Sequence, residues 1–175
     1  MSISNFWYSL FRDRPTQQTN QMTPEFTTFT TKFVIPHEAV YAKGHYGDNN
    51  YIIVENVEGD AGGLTYAGID KASHPNFDYV HPTVDKAIAA YWIDFVDCGC
   101  KALAIPRCWV YFDCCVNNGL SASKNLLAQT NDPHKFNDLR IARYHSIVDN
   151  HPNDVKFLRG WLNRVADLNT YLKLS

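Results

Sequence analysis

One glutamate and a glycine-rich run are the parts of this chain best suited to catalysis. Glu38 stands at the end of a segment whose apolar residues recur at helical spacing, and the run of residues 60–69 contains Asp60 and Thr65. The paired glycines in that run favour a tight turn, because glycine adopts a positive φ at little cost. Glycosidic hydrolysis needs a carboxylic acid that faces a second polar group across a cleft. These residue types permit acid-assisted glycosidic hydrolysis, with Glu38 as general acid and Asp60 and Thr65 as helpers.

Each of these three residues also has an ordinary structural interpretation, and both interpretations stay open. Glu38 can be a surface residue at a helix end, and Asp60 can be an Asx-turn residue ahead of the glycines. If Asp60 acts in catalysis, it steadies a positively charged transition state or orients water. Thr65 can hold the attacking water or can be an ordinary strand residue. Glu55 and Glu58 are reserve acids, which means further candidates for the catalytic carboxylate; in the ordinary interpretation they are solvated surface residues.

The same segments resemble a known family, the phage-type and secretion-activator muramidases. Their signature is His-Glu-Gly-Gly-Tyr followed by Asp-x-Gly-Gly-x-Thr-x-x-Gly-Ile. Residues 60–69 match the second half in full, and residues 37–41 match the first half without its two glycines. Three later segments match the family in the same order: residues 91–92 (YW), 112–119 (FDCCVNNG) and 157–165 (FLRGWLNRV). The resemblance covers roughly residues 24 to 170.

This resemblance implies a lysozyme-like peptidoglycan hydrolase that cleaves the β-1,4 bond between N-acetylmuramic acid and N-acetylglucosamine. It implies Glu38 as the acid and no cofactor or metal. Tyr41 and Tyr66 are candidate substrate-binding residues, although Tyr66 can equally belong to the core. Asn117 is a third candidate, because an amide on the far wall of the cleft can bond a sugar N-acetyl group; its alternative is a helix-end cap. The expected partner is the glycan strand, and the expected state is a monomer.

A second alignment leaves a different function open. Residues 45–48 also imitate the first half of the signature, with Tyr46 in the position of the acid. Such a chain would be a catalytically inactive peptidoglycan-binding or secretion-associated module. A toxin or effector is a third, weaker interpretation. We prefer the alignment on Glu38, because Tyr41 then fits as well and Glu38 ends a periodic helix. In that alignment the connection from Glu38 to Asp60 is about a dozen residues longer than in the family, enough to reshape a cleft rim.

Composition limits the class of protein. The chain has 175 residues, of which 45% are hydrophobic and 19% are charged, and its net charge is −2. These values are typical of a globular domain and give no indication of nucleic-acid binding. No stretch approaches the length of a membrane-spanning helix, so we expect no stable membrane insertion.

The predicted organisation is an N-terminal extension or linker over residues 1–22 and a single domain over residues 23–175. The C-terminal helices, about residues 133–172, resemble the family's peptidoglycan-binding segment. The first residues lack the basic start of a signal peptide. We therefore expect synthesis in the cytoplasm and action at the cell wall after release by a holin or a secretion partner.

Five cysteines, an odd number in a chain without a recognisable leader, argue against a disulfide framework. The prediction is buried, reduced thiols. A link from Cys98 or Cys100 to Cys108 stays open for an oxidising compartment.

The periodicities predict an α+β fold that is mainly helical and lysozyme-like, with a small β-hairpin or sheet beside the catalytic helix. Thr23 is the expected N-cap of that helix and Pro24 its first residue. Pro36 should disturb its last turn and leave Glu38 at or just past its end. Its apolar residues have helical spacing: Phe26, Phe29 and Phe33.

The remaining elements follow from similar signals. Strands are expected over residues 51–54 and 64–66. Later helices are expected to begin near residues 81–83, at Pro106, at Ser121 or Ser123, at residues 132–133, and after a break at residues 151–153.

Overall fold

The computed structural model describes residues 21–56 and 63–174. Within these residues the protein is mainly helical and has one three-stranded antiparallel sheet, which confirms the predicted α+β composition. The chain divides into two compact units, Met1–Val96 and Asp97–Ser175. The single domain over residues 23–175 stays a prediction. Asp60 and Glu58 lie outside the described residues, as does nearly all of the predicted extension.

The first unit begins with a helix whose pitch changes along its length. It consists of α1 (Pro24–Phe29), a π-helical turn (Thr30–Val34) and α2 (Ile35–Glu38). The predicted cap is confirmed, since the backbone N–H of Phe26 donates to Thr23 Oγ1 at 3.2 Å. The wide turn comes directly before Pro36. Because proline has no N–H and its ring crowds the carbonyl four residues earlier, the α-helical bonding pattern cannot continue there. The helix nevertheless ends at Glu38, as predicted.

The apolar stripe of this helix forms the core of the first unit. Phe26, Phe29 and Phe33 are all buried. The ring of Phe26 lies 4.9 Å from that of Trp92 and 5.0 Å from that of Phe95, both on α3 (Val84–Asp97). Each buried phenylalanine contributes about 1.5–3 kcal/mol by removal of apolar surface from water. This packing holds α1 and α2 against α3.

The sheet consists of β1 (Val54–Asn56), β2 (Leu64–Tyr66) and β3 (Ile69–Asp70) in that order. Successive residues of a strand point to opposite faces. Tyr66 pairs with Val54 and Ile69 on the inner face, and Thr65 occupies the outer face. Ala67 and Gly68 form the β2–β3 turn, both with positive φ, at 50° and 81°. This combination of angles is favoured in two-residue hairpins because it follows the twist of the strands.

The predicted strand over residues 51–54 is correct only at its end. Asn49–Tyr51 forms a 3₁₀ turn, and Ile52 makes an isolated bridge with Tyr41. The Asp48 side chain caps the turn by accepting the N–H of Asn50 at 3.0 Å. A local side-chain cap of this kind competes successfully with strand pairing.

The second unit is helical. Its four helices are α4 (Arg107–Asn118), α5 (Leu120–Leu127), α6 (Pro133–Asn150) and α7 (Val155–Leu172). A 3₁₀ turn (Cys100–Ala102) precedes α4, and another (Pro152–Asp154) precedes α7 at the predicted break. Gly119, with φ of 80°, ends α4, and the Asp132 side chain caps α6 by accepting the N–H of Lys135 at 2.8 Å.

Across residues 21–56 and 63–174, no helix combines the length and the apolar character that crossing a membrane would need.

Candidate functional site

Glu38 lies where the end of α2 meets the β2–β3 turn. Its side chain is half-buried. A Cβ placed on Gly68 would lie 2.7 Å from Glu38 Cβ and 3.0 Å from Glu38 Cγ, and it would overlap the hydroxyl of Tyr91. Such distances are too short for real side chains, so this position accepts only glycine. The last glycine of the predicted motif therefore gives the backbone its close approach to Glu38.

Tyr91 fixes the same turn from α3. Its hydroxyl donates to the carbonyl oxygen of Ala67 at 2.9 Å, in a buried hydrogen bond. In the sequence, Tyr91 belongs to the family-like pair of residues 91–92, and nothing there places it beside Glu38. Its role beside Glu38 depends on a contact between segments 24 residues apart, which periodicity cannot reveal.

Thr65 lies between two carboxylates on the outer face of the sheet. It pairs with Glu55 on β1 and with Asp70 on β3. Neighbouring strands are about 4.8 Å apart, so Glu55 and Asp70 flank the threonine from both sides. The Asp70 carboxylate also accepts the backbone N–H of Ser73 at 2.9 Å. Glu55 was predicted as a reserve acid, whereas Asp70 was not predicted to belong to the site. A predicted hairpin over residues 64–70, with its turn at residues 67–68, would have placed Asp70 beside Thr65.

Tyr66 is both a core residue and a cavity-lining residue, which are the two roles that the sequence left open. It is buried on the inner face, with its ring centroid 6.2 Å from that of Phe77, and burial raises the pKa of its hydroxyl. It also lines a cavity of about 270 Å³. The other lining residues come from the 3₁₀ turn and from the start of α3: Asn49, Asn50, Pro82, Thr83, Val84 and Asp85.

Tyr41 belongs to the loop that leads into this cavity. Its hydroxyl donates to Asn49 Oδ1 at 3.1 Å, and its ring centroid lies 5.5 Å from that of Tyr46. Burial, and after it the negative charges of Tyr46 and Asp48, raise the pKa of Tyr41. Tyr41 therefore supports a cavity wall and keeps its hydroxyl protonated.

Tyr46 and Glu38, the rival positions for the acid, have different surroundings. Tyr46 lies in a loop and its side chain is 87% exposed. Glu38 ends a helix and packs against Gly68 of the motif. Of the two positions, Glu38 is the one that contacts the second half of the motif, and the choice between the alignments stays a prediction.

A histidine–aspartate pair connects the segment after β3 to α3. His74 Nε2 lies 3.2 Å from both carboxylate oxygens of Asp94. Burial lowers the pKa of His74, but the hydrogen bond and the charge of Asp94 outweigh burial, so the pKa is raised above its usual value. No local pattern predicts this pair, since its members are 20 residues apart.

Asn117 belongs to the second unit, and its amide oxygen is engaged there. It accepts the hydroxyl of Tyr144 at 2.7 Å and a weaker bond from Arg140 Nη2 at 3.4 Å. Beside it, Asp113 is completely buried between Arg140 and Arg164. A sugar could therefore meet only the Nδ2 amide of Asn117, and the role of Asn117 in binding stays a prediction.

All five cysteines are buried and free, as the sequence predicted. Among the residues that the structure describes, no group of three or more His, Cys, Asp or Glu side chains could hold a metal ion.

The structure thus brings Glu38 next to the motif glycine and places Thr65 between Glu55 and Asp70. Asp60 is outside the described residues. Comparison with protein-family models, with curated proteins and with solved structures found no match. The functional argument therefore depends on the motifs and on this geometry.

Proposed function

We propose that this protein is a peptidoglycan hydrolase of the lysozyme type, an N-acetylmuramidase with a lysozyme-like arrangement of helix and sheet. The observation that supports this most directly is the contact between Glu38 and Gly68. It joins the two halves of the predicted signature in space. A half-buried carboxylic acid at a helix end, beside a small antiparallel sheet, is suited to protonate a glycosidic oxygen.

In the proposed mechanism Glu38 donates its proton to the oxygen that leaves with the departing sugar. Such acid catalysis contributes about 10²–10⁴-fold in rate. The sugar left behind develops positive charge, which a nearby carboxylate stabilises. Asp60 is the proposed group, and Thr65 is proposed to hold the attacking water. The mechanism uses no cofactor.

The outer face of the sheet offers an alternative second carboxylate. Glu55 and Asp70 flank Thr65, so either could orient water that its hydroxyl holds. Comparing Asp60→Asn, Glu55→Gln and Asp70→Asn assigns the role. The substitution that lowers kcat most, with KM unchanged, identifies the group that acts in the transition state.

A second candidate function is a peptidoglycan-binding module without hydrolytic activity. Two observations favour it: Ala39 and Val40 replace the signature glycines, and Tyr46 exposes its ring on the adjoining loop. In both cases the proposed partner is the glycan strand, and a holin or secretion partner would release the chain from the cytoplasm to the wall.

The deciding experiment follows the clearing of purified cell walls by the wild type and by Glu38→Gln. We expect the wild type to clear the walls and Glu38→Gln to be slower by at least about 100-fold. Glu25→Gln is the matched control, because Glu25 is exposed at the start of the same helix. Mass spectrometry should find N-acetylmuramic acid at the new reducing ends.

Full activity of Glu38→Gln would refute Glu38 as the acid. If neither protein clears the walls and both sediment with them, the binding module is the correct function.

A further inference from the structure

The chain between α2 and β1 folds into a closed loop, residues 40–53. At its base, Ile53 N–H donates to the Val40 carbonyl at 3.0 Å, and Ala42 N–H donates to the Tyr51 carbonyl at 2.8 Å. Asp48 caps the 3₁₀ turn inside the loop. Because the loop is held by its own hydrogen bonds, its side chains lose little further freedom when a ligand binds.

Aromatic rings occupy the outside of this loop. Tyr46 is 87% exposed and meets the ring of Tyr41 edge to face. His45 and Tyr51 stack with centroids 3.6 Å apart, and Tyr51 is 43% exposed. Rings that are oriented by contacts with one another, yet remain exposed, are typical of binding surfaces rather than of cores.

Polar groups stand next to the rings. Asn49 and Asn50 line the cavity of about 270 Å³ whose wall includes Tyr66. Small-molecule sites begin at about 300 Å³, so this cavity suits one sugar ring rather than a longer ligand. The loop has one cation, Lys43, and one anion, Asp48. The cavity adds a second anion, Asp85. These charges disfavour an anionic ligand and are compatible with a neutral sugar.

We propose that the loop of residues 40–53 and its cavity form an accessory glycan subsite for N-acetylglucosamine units of the β-1,4-linked peptidoglycan strand. The exposed faces of Tyr46 and Tyr51 stack on the apolar faces of successive sugar rings. Asn49 Oδ1 already accepts from Tyr41, and Asn50 Nδ2 already donates to Asp48 at 2.8 Å. The sugar that enters the cavity therefore bonds Asn49 Nδ2 and Asn50 Oδ1 through its N-acetyl and hydroxyl groups. This inference rests on the proposed function and extends it from the cleavage point to substrate binding along the strand.

The test is a calorimetric titration of the full chain with the N-acetylglucosamine tetramer, in a Glu38→Gln background that keeps the oligomer intact. We expect Tyr46→Ala and Tyr51→Ala each to raise Kd about tenfold, which corresponds to about 1.4 kcal/mol. Tyr46→Phe keeps the ring and should bind like the parent. Val80→Ala is the control for an exposed apolar residue in the same unit, since Val80 is 80% exposed.

A parallel assay with the catalytic glutamate intact separates this inference from the proposed function. If hydrolysis and the subsite are both correct, Tyr46→Ala raises KM for cell walls and leaves kcat unchanged. Equal tetramer binding by the parent and both alanine variants overturns the subsite, while wall clearing by the wild type still supports the hydrolase. Loss of binding in the variants of a chain that never clears walls supports the subsite and refutes hydrolysis. Failure of the parent to bind the tetramer overturns the subsite as well.

Discussion

Asp113 in the second unit is completely buried, whereas Glu38 in the first unit is half-buried at the end of a helix. Arg164 donates to Asp113 Oδ1 through Nε at 3.0 Å and through Nη2 at 2.8 Å, and Arg140 donates to Asp113 Oδ2 at 2.6 Å. Burial alone would raise the pKa of Asp113, but the two guanidinium groups hold it below its usual value. Both carboxylate oxygens are thus committed to the protein.

The contrast separates a structural carboxylate from one that is proposed to act in catalysis. Asp113 joins α4 to α6 and α7 and has no route for exchanging a proton with a substrate. Glu38 instead is half-buried and packs against the backbone of Gly68. Burial, rather than residue type or motif membership, distinguishes the two, since both lie in segments that resemble the family.

The largest expected effect is on stability and concerns Asp113. Asp113→Asn should lower the free energy of unfolding by about 3–5 kcal/mol, because it leaves two buried guanidinium groups without their counter-charge. Denaturant titration measures this. Asp138→Asn, at an exposed position on α6, should change stability by less than about 0.5 kcal/mol. Similar losses in both variants would mean that the buried network does not stabilise the unit.

The same carboxylate predicts an acid limit to stability. Because the folded pKa of Asp113 is lowered, its contribution is complete above the unfolded value of 3.8 and is lost as the pH falls through the folded pKa. Unfolding measured from pH 6 downward should therefore show a shallower acid dependence in Asp113→Asn. An unchanged slope would contradict this assignment.

The next largest effect is expected at the contact between Gly68 and Glu38. Gly68→Ala should destabilise the fold by about 1–3 kcal/mol and should slow wall clearing, because the new methyl group collides with Glu38 and Tyr91. Gly99→Ala is the matched control: its φ is also positive, at 82°, but its Cβ would meet nothing within 4 Å. Gly99→Ala should therefore show the backbone strain alone, with full activity. Equal activity of the two variants would show that Gly68 does not contribute to the catalytic site.

A smaller effect is expected at Tyr91. Tyr91→Phe removes the buried hydrogen bond to Ala67 and should cost about 1 kcal/mol of stability. If this bond positions the turn beside Glu38, kcat should fall by more than the loss of folded protein alone would cause. Thermal unfolding and wall-clearing kinetics on the same preparation distinguish positioning from stability alone.

The smallest effect concerns His74. Its folded pKa is raised, so the stability from its pairing with Asp94 is complete below about pH 6.5, the usual pKa of histidine, and is lost as the pH rises through the folded value. His74→Gln should flatten this slope in chemical denaturation. His145→Gln, at an exposed position on α6, should leave it intact. A slope that survives His74→Gln must arise from another group.

What the sequence could predict was mostly local. The Thr23 cap, the phenylalanine stripe and the position of Glu38 at the helix end all depend on residues within a few positions of each other. The strand expected at Tyr51 was wrong because a neighbouring side chain, Asp48, caps a tighter turn.

The contacts that define the site are not local. Asp70 beside Thr65, Tyr91 above the turn and Gly68 against Glu38 follow from strand register and helix packing, which one sequence specifies only through the whole fold. The motif showed that Gly68 matters but not which side chain it approaches.

The π-helical turn before Pro36 determines which way Glu38 faces. Glu38 follows Phe26 by 12 positions, and an unbroken α-helix advances about 100° per residue, so Glu38 would point about 120° away from Phe26. One extra residue in a wide turn reduces that angle to about 20°. Phe26 faces Trp92 and Phe95 of α3, and Glu38 lies against Gly68, beside which the hydroxyl of Tyr91 from the same helix also lies. The wide turn therefore sets the direction in which Glu38 points around the helix axis. Deleting a single residue from the turn would rotate the proposed acid out of its site, although every proposed functional side chain would still be present in the sequence.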